Sequence, residues 1–142
     1  MKTVNEVMSN HVMSCQPNQP INEIAKLMAD QDIGAIPVCD ENHHLLGVVT
    51  DRDLVIRGYA KAVDPNESIE QCMTRDAITC DPNQTVREAG ELMAKHQIRR
   101  LPIVKDRKLI GIVSLGDLAL EKQSDHMAGE ALEEISEHTH YH

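Results

Sequence analysis

Apolar positions along the chain follow a pattern that is stated twice. Ile21, Ile24, Ala25, Leu27 and Met28 recur at three- and four-residue spacing, which predicts a helix over about 20–30 with one buried face. Pro20 suits its first turn, where a missing N–H costs nothing. Two short apolar runs follow, Ala35–Cys39 and Leu45–Val49, and the polar turn Asp40–His44 between them predicts a hairpin. Pro37 confines the first of these strands to an edge or an irregular position. Thr50 then opens a second helix, predicted over about 51–59, with Gly58 helping to end it. Before all of these, Val12–Ser14 reads as a short strand stopped by a Pro-Asn turn. The same order returns as a strand near 77–80, a helix near 85–96, strands near 100–104 and 109–113, and a helix near 116–122.

The return is a duplication at the level of residues. Met8-Ser9 answers Met73-Thr74, Cys15-Gln16-Pro17-Asn18-Gln19 answers Cys80-Asp81-Pro82-Asn83-Gln84, and Ile36-Pro37-Val38 answers Leu101-Pro102-Ile103. Two copies of a period this long signify a doubled half-domain and not a solenoid. The boundaries fall at 1–60 for the first repeat, 61–68 for a linker and 69–123 for the second repeat, with an acidic, histidine-rich tail over 124–142. The fold class is mixed α/β (α+β), each repeat running β-α-β-β-α. One repeat is too small to bury its helices and sheet, so two are expected to pack with pseudo-twofold symmetry about a shared cleft.

Candidate chemistry lies where the last strand of each repeat feeds a helix. Gly47-Val48-Val49-Thr50-Asp51-Arg52-Asp53 and Gly111-Ile112-Val113-Ser114-Leu115-Gly116-Asp117 each carry a hydroxyl residue with an aspartate three positions later. Such a junction gathers unpaired N–H groups at a positive dipole end, which suits a phosphate. A carboxylate one turn in can accept from the two hydroxyls of a ribose. The same pairs also satisfy the pattern of a capping box, with Asp in place of Glu or Gln. A capping residue can serve a ligand as well, so the two readings coexist.

Composition narrows the partners. Hydrophobic residues make up 41% of the 142 positions, yet there is no Trp or Phe and only two Tyr, so the core is aliphatic and the scarcity of aromatics argues against base stacking as a mode of single-stranded nucleic-acid binding. A formal charge of −9 argues against nucleic-acid backbones. No apolar run reaches the length of a membrane span and no signal-peptide pattern opens the chain, which leaves the cytoplasm as the expected location. Cys15, Cys39, Cys72 and Cys80 lack C-x-x-C spacing and read as reduced, buried side chains. Within the repeats there is no nucleophile with a paired base, no metal-ligand set and no Walker-type loop, so an enzyme is not expected.

Taken together, the tandem repeat, the Ile-Pro-Val and Leu-Pro-Ile strands and the Gly-Val-Val-Thr-x-x-Asp and Gly-Ile-Val-Ser-x-x-Asp motifs resemble a cystathionine-β-synthase (CBS) domain pair, or Bateman module, over about residues 1–122. The resemblance implies a regulatory sensor of adenosine ligands that acts as a homodimer on a partner protein. It implies ribose contacts from Asp53 and Asp117, with Thr50 and Ser114 as adjacent hydroxyls. Slot residues carried over are Ile33, Gly34 and Ala35 in the first repeat and Ile98, Arg99, Arg100 and Leu101 in the second, with Met13 and Ile78 near the adenine. Arg52, Arg99 and Arg100 are the candidates for phosphate charge. The implied ligands are AMP, ADP or ATP, with S-adenosylmethionine or a dinucleotide as alternatives, and no cofactor or metal. A ligand-free dimerisation scaffold is the rival reading.

Overall fold

A computed structural model describes residues 2–121. Its elements are α1 (Val4–Val7), α2 (Ile21–Gln31), β1 (Ala35–Cys39), β2 (Leu45–Thr50), α3 (Asp51–Asp53), α4 (Val86–His96), β3 (Arg100–Lys105), β4 (Lys108–Ser114) and α5 (Leu115–Leu120). The expected helices and hairpins are present, and the mixed α+β class holds. Pro20 caps α2 from outside it, extended at φ −65 and ψ 145, where the sequence predicted it inside the first turn. Ala25 is exposed, so the buried stripe of α2 is Ile21, Ile24 and Met28. Both α2 and α4 end on a non-glycine residue in the left-handed region, Asp32 and Gln97.

Two further expectations are corrected. The leading strand of each repeat shrinks to one bridge, Cys15 with Val38 and Cys80 with Ile103, both parallel. Pro17 and Pro82 follow two residues later and turn the chain away before a ladder can extend. The helix after Thr50 also does not run uniformly to Tyr59. After α3 it widens to a π-turn over Leu54–Gly58, tightens to a 3-10 turn over Tyr59–Lys61, and stops at Ala62 in the left-handed region. Gly58 lies within it at φ −99 and does not terminate it. An added methyl there would sit 3.3 Å from Cys72 Sγ, so close packing explains the residue.

The described residues form two compact units that interlace along the sequence, 13–77 in one and 2–12 with 78–121 in the other. In the first, β1 and β2 pair antiparallel and the core is built from Ile24, Ile36, Val38, Val49, Ile69 and their neighbours. Residues 67–74 are stitched onto it: Ile21 N–H donates to Glu67 O at 2.9 Å, and Val48 and Thr74 exchange N–H···O bonds of 3.0 and 2.8 Å. In the second unit β3 and β4 pair antiparallel over a core of Val4, Val86, Met93, Leu101, Ile103 and Leu118. Residues 2–9 play the matching part there. Val4 N–H donates to Gln84 O at 2.8 Å, and Ser9 and Ile112 exchange bonds of 2.9 and 3.0 Å.

The segments that do this stitching begin in helical turns, α1 and a 3-10 turn over Ile69–Gln71, neither of which the hydrophobic pattern singled out. All four cysteines are free and buried, as expected. The acidic, histidine-rich tail over 124–142 lies outside the described residues.

Candidate functional site

Each unit presents one strand-to-helix junction. At the first, Thr50 ends β2 in an extended conformation and caps α3. Its Oγ1 accepts from Asp53 N–H at 3.0 Å, and its own N–H donates to Asp53 Oδ2 at 3.0 Å. At the second, Ser114 Oγ accepts from Asp117 N–H at 3.1 Å and Ser114 N–H donates to Asp117 Oδ2 at 2.8 Å. Both are complete capping boxes built with the shorter acid. An extended cap with aspartate at the third helical position brings the carboxylate back over the strand end. That is why the same residue types recur at the same spacing.

The box occupies only one oxygen of each carboxylate. An ionised carboxylate offers about four lone-pair sites, so the other oxygen remains able to accept from a diol. Asp53 and Asp117 are both partly buried and keep some exposure. Arg57 Nε lies 3.9 Å from Asp53 Oδ1, while its Nη1 donates to Met73 O at 2.8 Å. In the repeat alignment Glu121 stands in that place at the second junction, and it pairs with Lys2 at 3.2 Å. The residue four positions beyond each aspartate therefore ties the junction to the segment stitched onto its unit.

Strand pairing brings Gly34 and Ala35 to the first junction and Arg99 and Arg100 to the second. Ala35 stands opposite Thr50 in β1–β2, and Gly34 O accepts from Asp51 N–H at 2.9 Å. Arg100 stands opposite Ser114 in β3–β4, and Arg99 O accepts from Leu115 N–H at 2.8 Å. Arg52, Arg99 and Arg100 are exposed. Ile33, Ile78 and Ile98 pack partly buried against the cores of their own units. Leu101 is fully buried in the core, so its side chain supports the strand from behind. Met13 is 40% exposed, two residues before the Cys15–Val38 bridge.

The unpaired N–H groups expected at both junctions are present at only one. At the first, Asp51 N–H is taken by Gly34 O, Arg52 N–H by Asp51 Oδ1 at 2.8 Å, and Asp53 N–H by Thr50 Oγ1. At the second, Leu115 and Asp117 N–H are taken in the same way, but Leu115 has no side-chain acceptor. Gly116 N–H accordingly meets no acceptor among the described residues. In the aligned motifs Asp51-Arg52 corresponds to Leu115-Gly116, and only the structure shows that Asp51 caps its own neighbour.

Among the described residues no group of three or more His, Cys, Asp and Glu side chains is placed to hold a metal. No helix among them is long and apolar enough to cross a membrane. The CBS domain family model matches residues 4–58 and 67–124. The chain is 43% identical over 136 residues to the CBS domain-containing protein YhcV of Bacillus subtilis (strain 168), covering 96% of each. It is similar in structure to CBSX2 solved in complex with AMP, with a TM-score of 0.75, 26% identity, and 82% of this chain and 92% of that one covered. It is also similar to the CBS domain pair of MJ0100 solved with 5′-methylthioadenosine and S-adenosyl-L-methionine, with a TM-score of 0.72, 28% identity, and 83% and 97% covered. With two matched copies over most of its length, the chain belongs to the CBS-domain family as a tandem pair.

Proposed function

We propose that this protein is a regulatory module that binds an adenosine nucleotide, AMP, ADP or ATP, and passes its occupied state to a partner protein without chemical turnover. The observation that carries the reading is the duplicated hydroxyl–carboxylate junction, in which the cap engages only one oxygen of Asp53 and of Asp117 and the second oxygen can still accept from a ribose. The complexes of CBSX2 with AMP and of the MJ0100 pair with 5′-methylthioadenosine and S-adenosyl-L-methionine support it, because both are CBS pairs to which this chain is similar. Sensing needs only modest affinity: a Kd of 10 μM to 1 mM corresponds to about −7 to −4 kcal/mol. A buried adenine, a ribose–carboxylate contact and an anion contact are sufficient for that range. Binding favours whichever arrangement of the module holds the ligand better, and a partner can read that shift.

A thermal-shift series with AMP, ADP and ATP tests the reading on the wild type, Asp53→Ala and Asp117→Ala. Ligand at one hundred times its Kd stabilises by about 2.7 kcal/mol. A rise in Tm that at least one of the two aspartate substitutions diminishes is expected. A Tm unmoved by every adenosine compound overturns it and favours the scaffold reading. One observation specifically supports self-association: in the unit over 13–77, Val55, Ile56 and Tyr59 are exposed apolar residues close together in the chain, with Tyr59 87% accessible. Homodimerisation is accordingly part of the proposal, and equilibrium sedimentation of the wild type against Tyr59→Glu checks it.

A further inference from the structure

The two junctions share one backbone frame and carry opposite charges on it. In both, the first N–H of the helix reaches back to the carbonyl just ahead of the facing strand, Gly34 in one unit and Arg99 in the other. On that frame the first unit places an acidic side chain, Asp51, over a residue with none. A methyl added at Gly34 would lie 3.2 Å from Asp51 Oδ2, so the carboxylate fills the space the glycine leaves. In the second unit the same two places hold the buried apolar Leu115 and the cationic Arg99, with Arg100 next to it.

The backbone amides repeat the contrast. Asp51 Oδ1 takes the Arg52 N–H that its counterpart, Gly116 N–H, leaves without an acceptor among the described residues. Asp51 therefore acts as a built-in anion at its junction and uses the donor a phosphate would need. Its negative charge also repels a second anion placed there. The nearby cations do not reverse this. Arg57 is engaged with Met73 O and lies beside Asp53, and the single charge of exposed Arg52 is offset by Asp51 beside it.

We propose that Asp51 makes the Thr50–Asp53 junction selective for adenosine ligands that carry no 5′-phosphate, uncharged or cationic at that end. The Ser114–Asp117 junction takes the phosphorylated ones. The inference rests on the adenosine reading above and adds a division of labour, with Asp51 as the specificity-determining residue. Ligands of both kinds occur in CBS pairs: the MJ0100 structure holds a thioether and a sulfonium nucleoside, and the CBSX2 structure holds AMP.

The test is isothermal titration of the full-length protein with AMP and with 5′-methylthioadenosine, which shares the nucleoside and lacks the phosphate. Asp117→Ala should lose AMP binding and keep methylthioadenosine binding, and Asp53→Ala should do the reverse. Adding Asp51→Asn to Asp117→Ala should raise the AMP-to-methylthioadenosine affinity ratio about tenfold, the scale of one partly screened charge contact. That gain should shrink in high salt. Far-UV circular dichroism confirms folding, and Asp117→Asn, which keeps an oxygen for the Ser114 N–H, replaces the alanine variant if its cap fails. Equal AMP and methylthioadenosine affinities in Asp117→Ala, or a ratio that Asp51→Asn leaves unchanged, overturn the division of labour alone. Failure of the wild type to bind either compound overturns the adenosine reading and the inference with it.

Discussion

Gly47→Ala is the substitution that most directly probes how each unit is closed. Gly47 lies in β2 and is buried, with Val48 beside it exchanging two backbone bonds with Thr74. An added methyl would lie 2.5 Å from the Thr74 carbonyl oxygen, 3.2 Å from its carbonyl carbon and 3.2 Å from Met73 Sδ. A backbone carbonyl cannot swing aside as a side chain can, so relief requires moving Thr74 by several tenths of an ångström. Such overpacking costs about 1–3 kcal/mol. Weakening the two Val48–Thr74 bonds adds about 1 kcal/mol for each one lost. Against this, alanine recovers about 0.5–1 kcal/mol of the conformational entropy that glycine loses in a strand. The net loss is about 2–3 kcal/mol, measurable as a lower urea midpoint by far-UV circular dichroism, the suitable probe for a chain without Trp. Gly34→Ala is the control, because its nearest contact is the exposed Asp51 side chain and not a backbone atom. A Gly47→Ala midpoint within about 0.5 kcal/mol of the wild type, the usual range for surface changes, would refute the reasoning.

Three further outcomes can be checked in the same denaturation assay or beside it. The β3–β4 turn places Asp106 and Arg107 at φ 51 and 68, so Arg107→Gly should stabilise by about 0.5–1 kcal/mol by removing a left-handed residue with a Cβ, and no gain would contradict that turn geometry. Thr85 caps α4 and accepts from Glu88 N–H at 3.1 Å; Thr85→Ala should cost about 1 kcal/mol while leaving the adenosine-dependent Tm rise in place. Burial pushes the thiols of Cys15, Cys39 and Cys80 from an ordinary value near 9 up to about 12, 11 and 11. They should resist a thiol-specific chromogenic reagent at pH 8 until urea unfolds the chain, and prompt modification of the native protein would contradict their burial. The unfolded chain surrenders those protons first, so stability is intact below about pH 9 and falls as pH rises toward 11 and above.

Residues differed in how much of their role could be read from the chain alone. The Thr50–Asp53 and Ser114–Asp117 pairs were legible because a capping box is local: four consecutive residues contain the whole geometry, and the duplication marks it twice. Gly47 and Gly111 were legible as repeats but not as contacts, since their partners, Thr74 for one and Met8 with Ser9 for the other, lie far away in sequence. The interlacing was illegible for a more basic reason. Val4, Val7 and Met8 carry the same apolar spacing as Ile69, Cys72 and Met73, so periodicity is satisfied whichever repeat each segment joins. What selects the partner is the long-range pairing of Ser9 with Ile112 and Thr74 with Val48, which no local pattern encodes. Asp51 shows the same limit at the site. Its difference from Leu115 was visible in the alignment, but its effect depends on where its carboxylate meets the Arg52 N–H and the gap over Gly34. A duplicated motif thus reveals where the two copies perform the same chemistry, whereas the places they diverge acquire meaning only once the backbone fixes what each side chain can reach.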